Sequence, residues 1–262
     1  MKIGLIGRGA IAGFTRNEAE KRGHSIEVTL LRPDRAAAGS DGPCGRTIHT
    51  VDAFPDDLDL VIDCAGHTAL AAYGVDVLAR GFDLMTVSLG ALADPVLHDA
   101  LVTAAQRGGA RLHLASGAIG ALDCLQAARV GPLHAVTYVG RKPPQGWRGS
   151  PAEAQVDLDT LTTGAVTHFT GTAREAALAY PKNANVTAAV ALAGIGFDDT
   201  RVVLIADAEV SRNIHRIEAT GDFGDLRFEI SGNALPDNPR SSALAAMSVI
   251  SKIEQLCQSV VI

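Results

Sequence analysis

Lys2-Ile3-Gly4-Leu5-Ile6-Gly7-Arg8-Gly9-Ala10-Ile11-Ala12 decides the fold. A short apolar run, broken only by Lys2 and Gly4, passes into a glycine turn and then into helix-compatible sequence reaching about Arg22. A buried parallel strand that hands over through a tight turn to a helix N-terminus is a dinucleotide-binding opening. Gly7 permits the turn, Gly9 leaves room for a pyrophosphate to approach the backbone, and Ala12 lets the helix pack closely on the strand. The N–H groups around Gly7, Gly9, Ala10 and Ile11 are then expected to face the phosphates.

The pattern continues outward from this start. Ile26–Leu31, Leu58–Cys64, Leu84–Ser88 and Arg111–Ala115 read as strands. Ala69–Arg80 and Pro95–Arg107 read as helices, ended by Gly81 and by Gly108-Gly109. Short apolar strands alternating with helices predict a parallel sheet covered on both faces. Near residue 120 the pattern changes. Leu133–Val139, Val166–Gly171, Val202–Ala206, Asn213–Thr220 and Leu226–Ile230 read as strands, with helices only at Ala173–Leu178 and Val186–Gly194. Strands close together in sequence predict a mixed or antiparallel sheet. The expected class is α/β: an N-terminal dinucleotide-binding domain over residues 1–118 and a second, smaller α+β domain over 119–240. A long helix, 241–262, is expected to pack back on the first domain, with Pro239 at its entry.

Composition narrows the function classes. The chain has 262 residues, 47% hydrophobic and 20% charged, with a formal net charge of -6 and no long basic tract. Nucleic acid is therefore not the expected partner. No apolar stretch is long enough to span a bilayer. The N-terminus runs straight into the first strand, leaving no room for a secretory signal, so a cytoplasmic address is expected. Cys44, Cys64, Cys124 and Cys257 lack the close spacing of a zinc or disulfide framework, so no metal site is expected; Cys64 and Cys124 read as small core residues.

In a dinucleotide fold an acid at the end of the second strand holds the adenosine ribose. Here Arg32 stands at that place, followed by Asp34 and Arg35. A guanidinium grips a 2′-phosphate with a fork of donors, which favours NADP, or use of both cofactors, over strict NAD. Four later segments carry further chemistry. Ser116–Asp123 follows a sheet strand and reads either as the floor of a nicotinamide pocket or as a hinge. Arg141 and Lys142, held by Pro143-Pro144, face an anionic substrate or form an exposed turn. In Tyr180–Val186, Asn183 or Asn185 caps the next helix, or an amide there holds a carboxamide while Lys182 meets a carboxylate. His215 shares a strand face with Asn213 and Ile217, which suits either an acid–base group in a cleft or a structural histidine.

GRGAIA (7–12), SGAIGALD (116–123), GRKPP (140–144), YPKNANV (180–186), NIH (213–215) and GNALPDNPRSS (232–242) together resemble the L-aspartate dehydrogenase family. The resemblance implies a Rossmann domain joined to an α+β catalytic domain, in a homodimer. It also implies oxidation of L-aspartate by NAD or NADP to iminosuccinate. That product is hydrolysed to oxaloacetate and ammonia, or passed towards quinolinate and NAD synthesis. By the same resemblance His215 is catalytic, and Ala118 and Asn185 bind cofactor. Arg141, Lys142 and Lys182 become candidates for the two carboxylates, and His215 for activating the hydrolytic water. Arg32 departs from the acid common among relatives. The rival readings are a polyol-type dehydrogenase and a catalytically silent nucleotide-binding module. The first is weakened because Ser88-Leu89-Gly90-Ala91 stands where such enzymes carry Glu-Lys-Pro.

Overall fold

The computed structural model describes residues 1–33, 46–236 and 238–260, apart from the side chains of Lys182, Pro239 and Arg240. Asp34 and Arg35 therefore lie outside the described residues. The chain divides into two units, Met1–Ala115 with Ala245–Ile262, and Ser116–Leu244.

In the first unit, β1 (Lys2–Ile6), α1 (Ala10–Lys21), β2 (Ser25–Leu30), β3 (Arg46–Ile48) and β4 (Leu60–Asp63) are followed by α2 (His67–Ala79), β5 (Leu84–Thr86), α3 (Pro95–Gly108) and β6 (Leu112–Leu114). The six strands are parallel, in the order β3-β2-β1-β4-β5-β6. Chain order reverses between β1 and β4, the position at which doubly wound sheets bind ligands beyond their strand ends. β4 is buried along its whole length and β1 from Ile3 onward, which explains their uninterrupted apolar sequence. α3 begins on Asp94, whose carboxylate accepts the Val96 N–H, and ends on left-handed Gly109. β3 has no counterpart in the sequence reading, because Arg46-Thr47-Ile48 offers a single apolar residue, whereas the equally short β5 and β6 lie within longer apolar runs.

The second unit contains α4 (Leu122–Ala128), β7 (Leu133–Lys142), β8 (Ala165–Thr172), α5 (Ala173–Ala179), α6 (Ala184–Ala193), β9 (Arg201–Asp207), β10 (Asn213–Gly221) and β11 (Gly224–Gly232). Its sheet runs β11-β10-β7-β9-β8, antiparallel except for the parallel β7–β9 pair. On β10, His215, Ile217 and Ala219 are buried while the residues between them are half-exposed, the two-residue alternation of a one-sided sheet. α5 starts on a reciprocal cap between Thr172 and Glu175. A short antiparallel pair, β12 (Ala234–Leu235) and β13 (Asn238–Ser242), closes the unit.

Pro239 consequently lies in β13, not at a helix entry. The last helix, α7 (Ala243–Cys257), begins two residues later than expected. Its Val249, Ile250 and Ile253 join Ile3, Leu5, Leu60, Ile62 and Met85 in one core cluster of the first unit. Met247, Leu256 and Val260, apolar residues of the same C-terminal segment, are exposed. Cys64 is half-buried, but Cys124 is exposed and is no core residue. Among the described residues no helix is long and apolar enough to cross a membrane.

Candidate active site

Gly7 has φ +100, and a Cβ there would come within 2.8 Å of the Ala65 methyl, so both backbone shape and packing require glycine. Gly9, the N-terminal cap of α1, has φ -73 and no atom within 4 Å of a built Cβ. No side chain caps this helix and no acid occupies its first turn. Its leading N–H groups are thereby left to an anion. Gly7, Gly9, Arg32, Cys64 and Tyr73 line one cavity of about 400 Å³. Its floor is fixed by Asp63, which is fully buried and accepts the Ala65 N–H and the Thr86 and Ser88 hydroxyls at 2.9, 2.8 and 2.7 Å. These features fit a dinucleotide: an open helix end, a glycine where a Cβ would fill the cradle, and an exposed guanidinium in the same cavity wall. Ala10 and Ile11 form the first turn of α1 beside it.

The second concentration of chemistry lies on one face of the second unit's sheet. Tyr138, Gly140 and Lys142 alternate along β7, and His215 on β10 is registered opposite Gly140. His215 is buried, and its Nδ1 lies 2.8 Å from the Tyr138 hydroxyl. Burial, then the nearby charge of Lys142, pushes His215 down to about 3, so its ring is neutral at pH 7. Lys142 Nζ donates to Asn183 Oδ1 and stands 4.9 Å from the centre of the Trp147 ring. Burial lowers Lys142 to about 8. Among the described residues no carboxylate pairs with it. His168 is a neighbour of the same kind: its Nδ1 lies 3.2 Å from the Tyr180 hydroxyl, and burial with the Lys142 charge takes it down to about 4. His168 Nε2 is buried and has no hydrogen-bond partner among the described residues. A cation with no counter-ion among the described residues, flanked by two neutral histidines, suits a substrate carboxylate.

The structure brings Lys142 and His215 together and sets Arg141 apart. Alternation turns Arg141 away from Lys142, and its guanidinium pairs at 3.2 Å with Asp207, whose side chain is 4% exposed. Asn183 does not cap α6, because its side-chain oxygen is taken by Lys142. Asn185 is exposed in the first turn of α6, and Ala118 is buried in the turn before α4, between left-handed Gly117 and Ala121. Lys182 lies in the 3-10 turn Pro181–Asn183, its side chain outside the described residues. Leu89–Ala93, where a polyol-type enzyme would carry its lysine, is a buried 3-10 turn with no titratable side chain. Sequence reasoning missed Tyr138, His168 and Tyr180. For Tyr138 a signal existed, since strand alternation from Lys142 through Gly140 leads straight to it.

Comparison with known proteins bears on both units. The model described as "Homoserine dehydrogenase, NAD binding domain" matches residues 3–115, and "Aspartate dehydrogenase, C-terminal" matches residues 123–256. An L-aspartate dehydrogenase of Ruegeria pomeroyi is 53% identical over 97% of this chain and 92% of its own. One of Ralstonia nicotianae is 47% identical over 95% of each chain. The crystal structure of an aspartate dehydrogenase from Thermotoga maritima superposes with a TM-score of 0.77 at 25% identity, covering 100% of this chain and 99% of that one. A myo-inositol dehydrogenase structure from Sinorhizobium meliloti, with a TM-score of 0.53 at 15% identity, shares the fold alone. With likeness running through both units at these identities, the chain belongs to the L-aspartate dehydrogenase family.

Proposed function

We infer that this chain oxidises L-aspartate with NAD or NADP, giving iminosuccinate, and that water then releases oxaloacetate and ammonia. The reverse direction is the reductive amination of oxaloacetate. The observation that carries this reading is the 53% identity to an L-aspartate dehydrogenase over 97% of the chain.

The first unit supplies the nucleotide cradle, with Gly7, Gly9, Ala10 and Ile11 at the phosphates and Arg32 at a 2′-phosphate, which favours NADP. Ala118 and Asn185 complete the cofactor contacts in this proposal, on the strength of the resemblance. When bound, the nicotinamide supplies the hydride acceptor. The chain's own work is to hold Cα still, match two carboxylates and manage the imine carbon. Lys142 holds one carboxylate, supported by the desolvation of its ammonium and by the lack of a pairing carboxylate among the described residues. Lys182 stays a candidate for the other; Arg141 is a weaker one, because Asp207 already neutralises it. His215 serves the carbon that interconverts imine and carbonyl, supported by its neutral ring beside Lys142. A homodimer and a cytoplasmic address belong to the same proposal, the first read by light scattering.

The test is a steady-state screen of L-aspartate, L-glutamate, L-alanine and myo-inositol with each cofactor, together with oxaloacetate plus ammonia in reverse. Turnover is expected with L-aspartate and with the reverse pair. Turnover with the polyol and none with L-aspartate would overturn the reading.

A further inference from the structure

Tyr138 and Gly140 share the buried face of β7, and the Tyr138 side chain crosses Gly140 so closely that a Cβ there would lie 2.8 Å from the phenolic oxygen. His215 stands opposite Gly140 on β10. The bare glycine backbone is what lets the phenol reach His215 Nδ1, with the two rings stacked 6.1 Å apart at 18°. Tyr138 is 2% exposed, and among the described residues that nitrogen is the only hydrogen-bond partner of its hydroxyl. Burial raises the phenol, so it keeps its proton. A buried O–H needs an acceptor, and Nδ1 is the one within reach. The phenol therefore donates to Nδ1. A neutral imidazole that accepts at Nδ1 carries its own proton on Nε2. The opposite tautomer would strand the phenolic O–H in a dry site.

We propose that Tyr138, seated over Gly140, is the positioning residue that fixes His215 in its Nε2–H tautomer, so that His215 meets the substrate as a hydrogen-bond donor and not as the base expected from the sequence. The proposal rests on the reading of His215 as a site residue. In the amination direction, the nitrogen of ammonia bonds to the carbonyl carbon of oxaloacetate as the C=O π pair moves onto oxygen, where Nε2–H stabilises the charge. One proton of the nitrogen passes to that oxygen; the nitrogen lone pair then forms the C=N bond as the C–O bond breaks, and the oxygen leaves with a second nitrogen proton as water, giving iminosuccinate. The imidazole stays neutral throughout. A neutral histidine used in this way polarises a carbonyl without the cost of forming a buried imidazolium.

The experiment uses the full-length protein with saturating reduced cofactor, oxaloacetate and ammonia, and ¹⁵N-histidine labelling. The wild-type long-range ¹H–¹⁵N spectrum should show His215 protonated on Nε2. Tyr138→Phe should lower kcat by roughly 10–100-fold, the scale on which a metal-bound histidine's hydrogen-bond partner acts, with the KM for cofactor unchanged. It should also abolish the fixed tautomer. Because Tyr138 acts through His215, Tyr138→Phe/His215→Asn should be no slower than His215→Asn alone. A wild-type His215 protonated on Nδ1, additive losses in the double variant, or wild-type kcat in Tyr138→Phe would each overturn the proposal. Wild-type turnover in His215→Asn would instead bring down the underlying reading of His215.

Discussion

Two glycines in the opening turn should fail in opposite ways when each becomes alanine. Gly7→Ala places a Cβ 2.8 Å from the Ala65 Cβ and 3.1 Å from its Cα, on a backbone with φ +100. The left-handed conformation costs a residue with a Cβ ~1–2 kcal/mol, and overpacking against Ala65 adds ~1–3 kcal/mol. A total of about 2–5 kcal/mol is a large part of a typical domain's stability. Gly9→Ala meets nothing within 4 Å, at an ordinary φ of -73, and should leave the fold intact. Its methyl instead projects into the space at the start of α1 where phosphate is to sit. Loss of one charge-assisted contact there, ~1.5–3 kcal/mol, weakens cofactor binding roughly 10–100-fold. Denaturant melts of the unliganded protein and fluorescence titration with NADPH and NADH separate the two effects. Gly7→Ala should unfold at markedly lower denaturant. Gly9→Ala should melt like wild type and bind poorly. Wild-type cofactor affinity in Gly9→Ala would refute the nucleotide reading of this turn.

Arg32→Asp should raise the KM for NADP roughly 10–100-fold and that for NAD much less; equal changes would place Arg32 outside the ribose contacts. Lys142 loses its proton as pH rises through about 8, so the KM for L-aspartate should climb above that pH, and Lys142→Met should raise the KM at pH 7 and flatten the climb. The same lowered value has a stability consequence: between about 8 and the unfolded 10.5 the unfolded chain binds more protons, so stability from this group rises with pH across that window. A melt series on wild type and Lys142→Met reads it as a difference in slope. Ile253→Ala, at a fully buried position of α7, should cost ~2–5 kcal/mol, and a change under 1 kcal/mol would contradict the place of α7 in the first core.

The strand–turn–helix opening was legible because three local signals coincide there: apolar continuity, glycine spacing and helix-compatible sequence. The helix Pro95–Gly108 was equally legible, since Asp94, Pro95 and Gly109 are its own start and stop signals. β3 and β13 were not, because Arg46-Thr47-Ile48 and Asn238-Pro239-Arg240-Ser241-Ser242 carry almost no apolar side chains to set a pattern, and it is pairing with neighbouring chain that makes them strands. At the site, His215 could be singled out with help from the resemblance, but its partner lies 77 residues away and no local spacing joins them. Arg141 and Lys142 looked interchangeable as adjacent cations. Strand alternation separates them, giving one to Asp207 and the other to Asn183. Asn183 looked like a cap by position, yet the Lys142 ammonium claims its oxygen more strongly than a backbone N–H does.

In the reaction inferred here, hydride leaves Cα of L-aspartate for the nicotinamide. Incubation of the protein with L-[2-²H]aspartate and each oxidised cofactor, followed by mass analysis of the reduced cofactor, tests it directly. One deuterium per reduced cofactor is expected, with oxaloacetate formed in equal amount. Reduced cofactor without deuterium, or none formed at all, would contradict it.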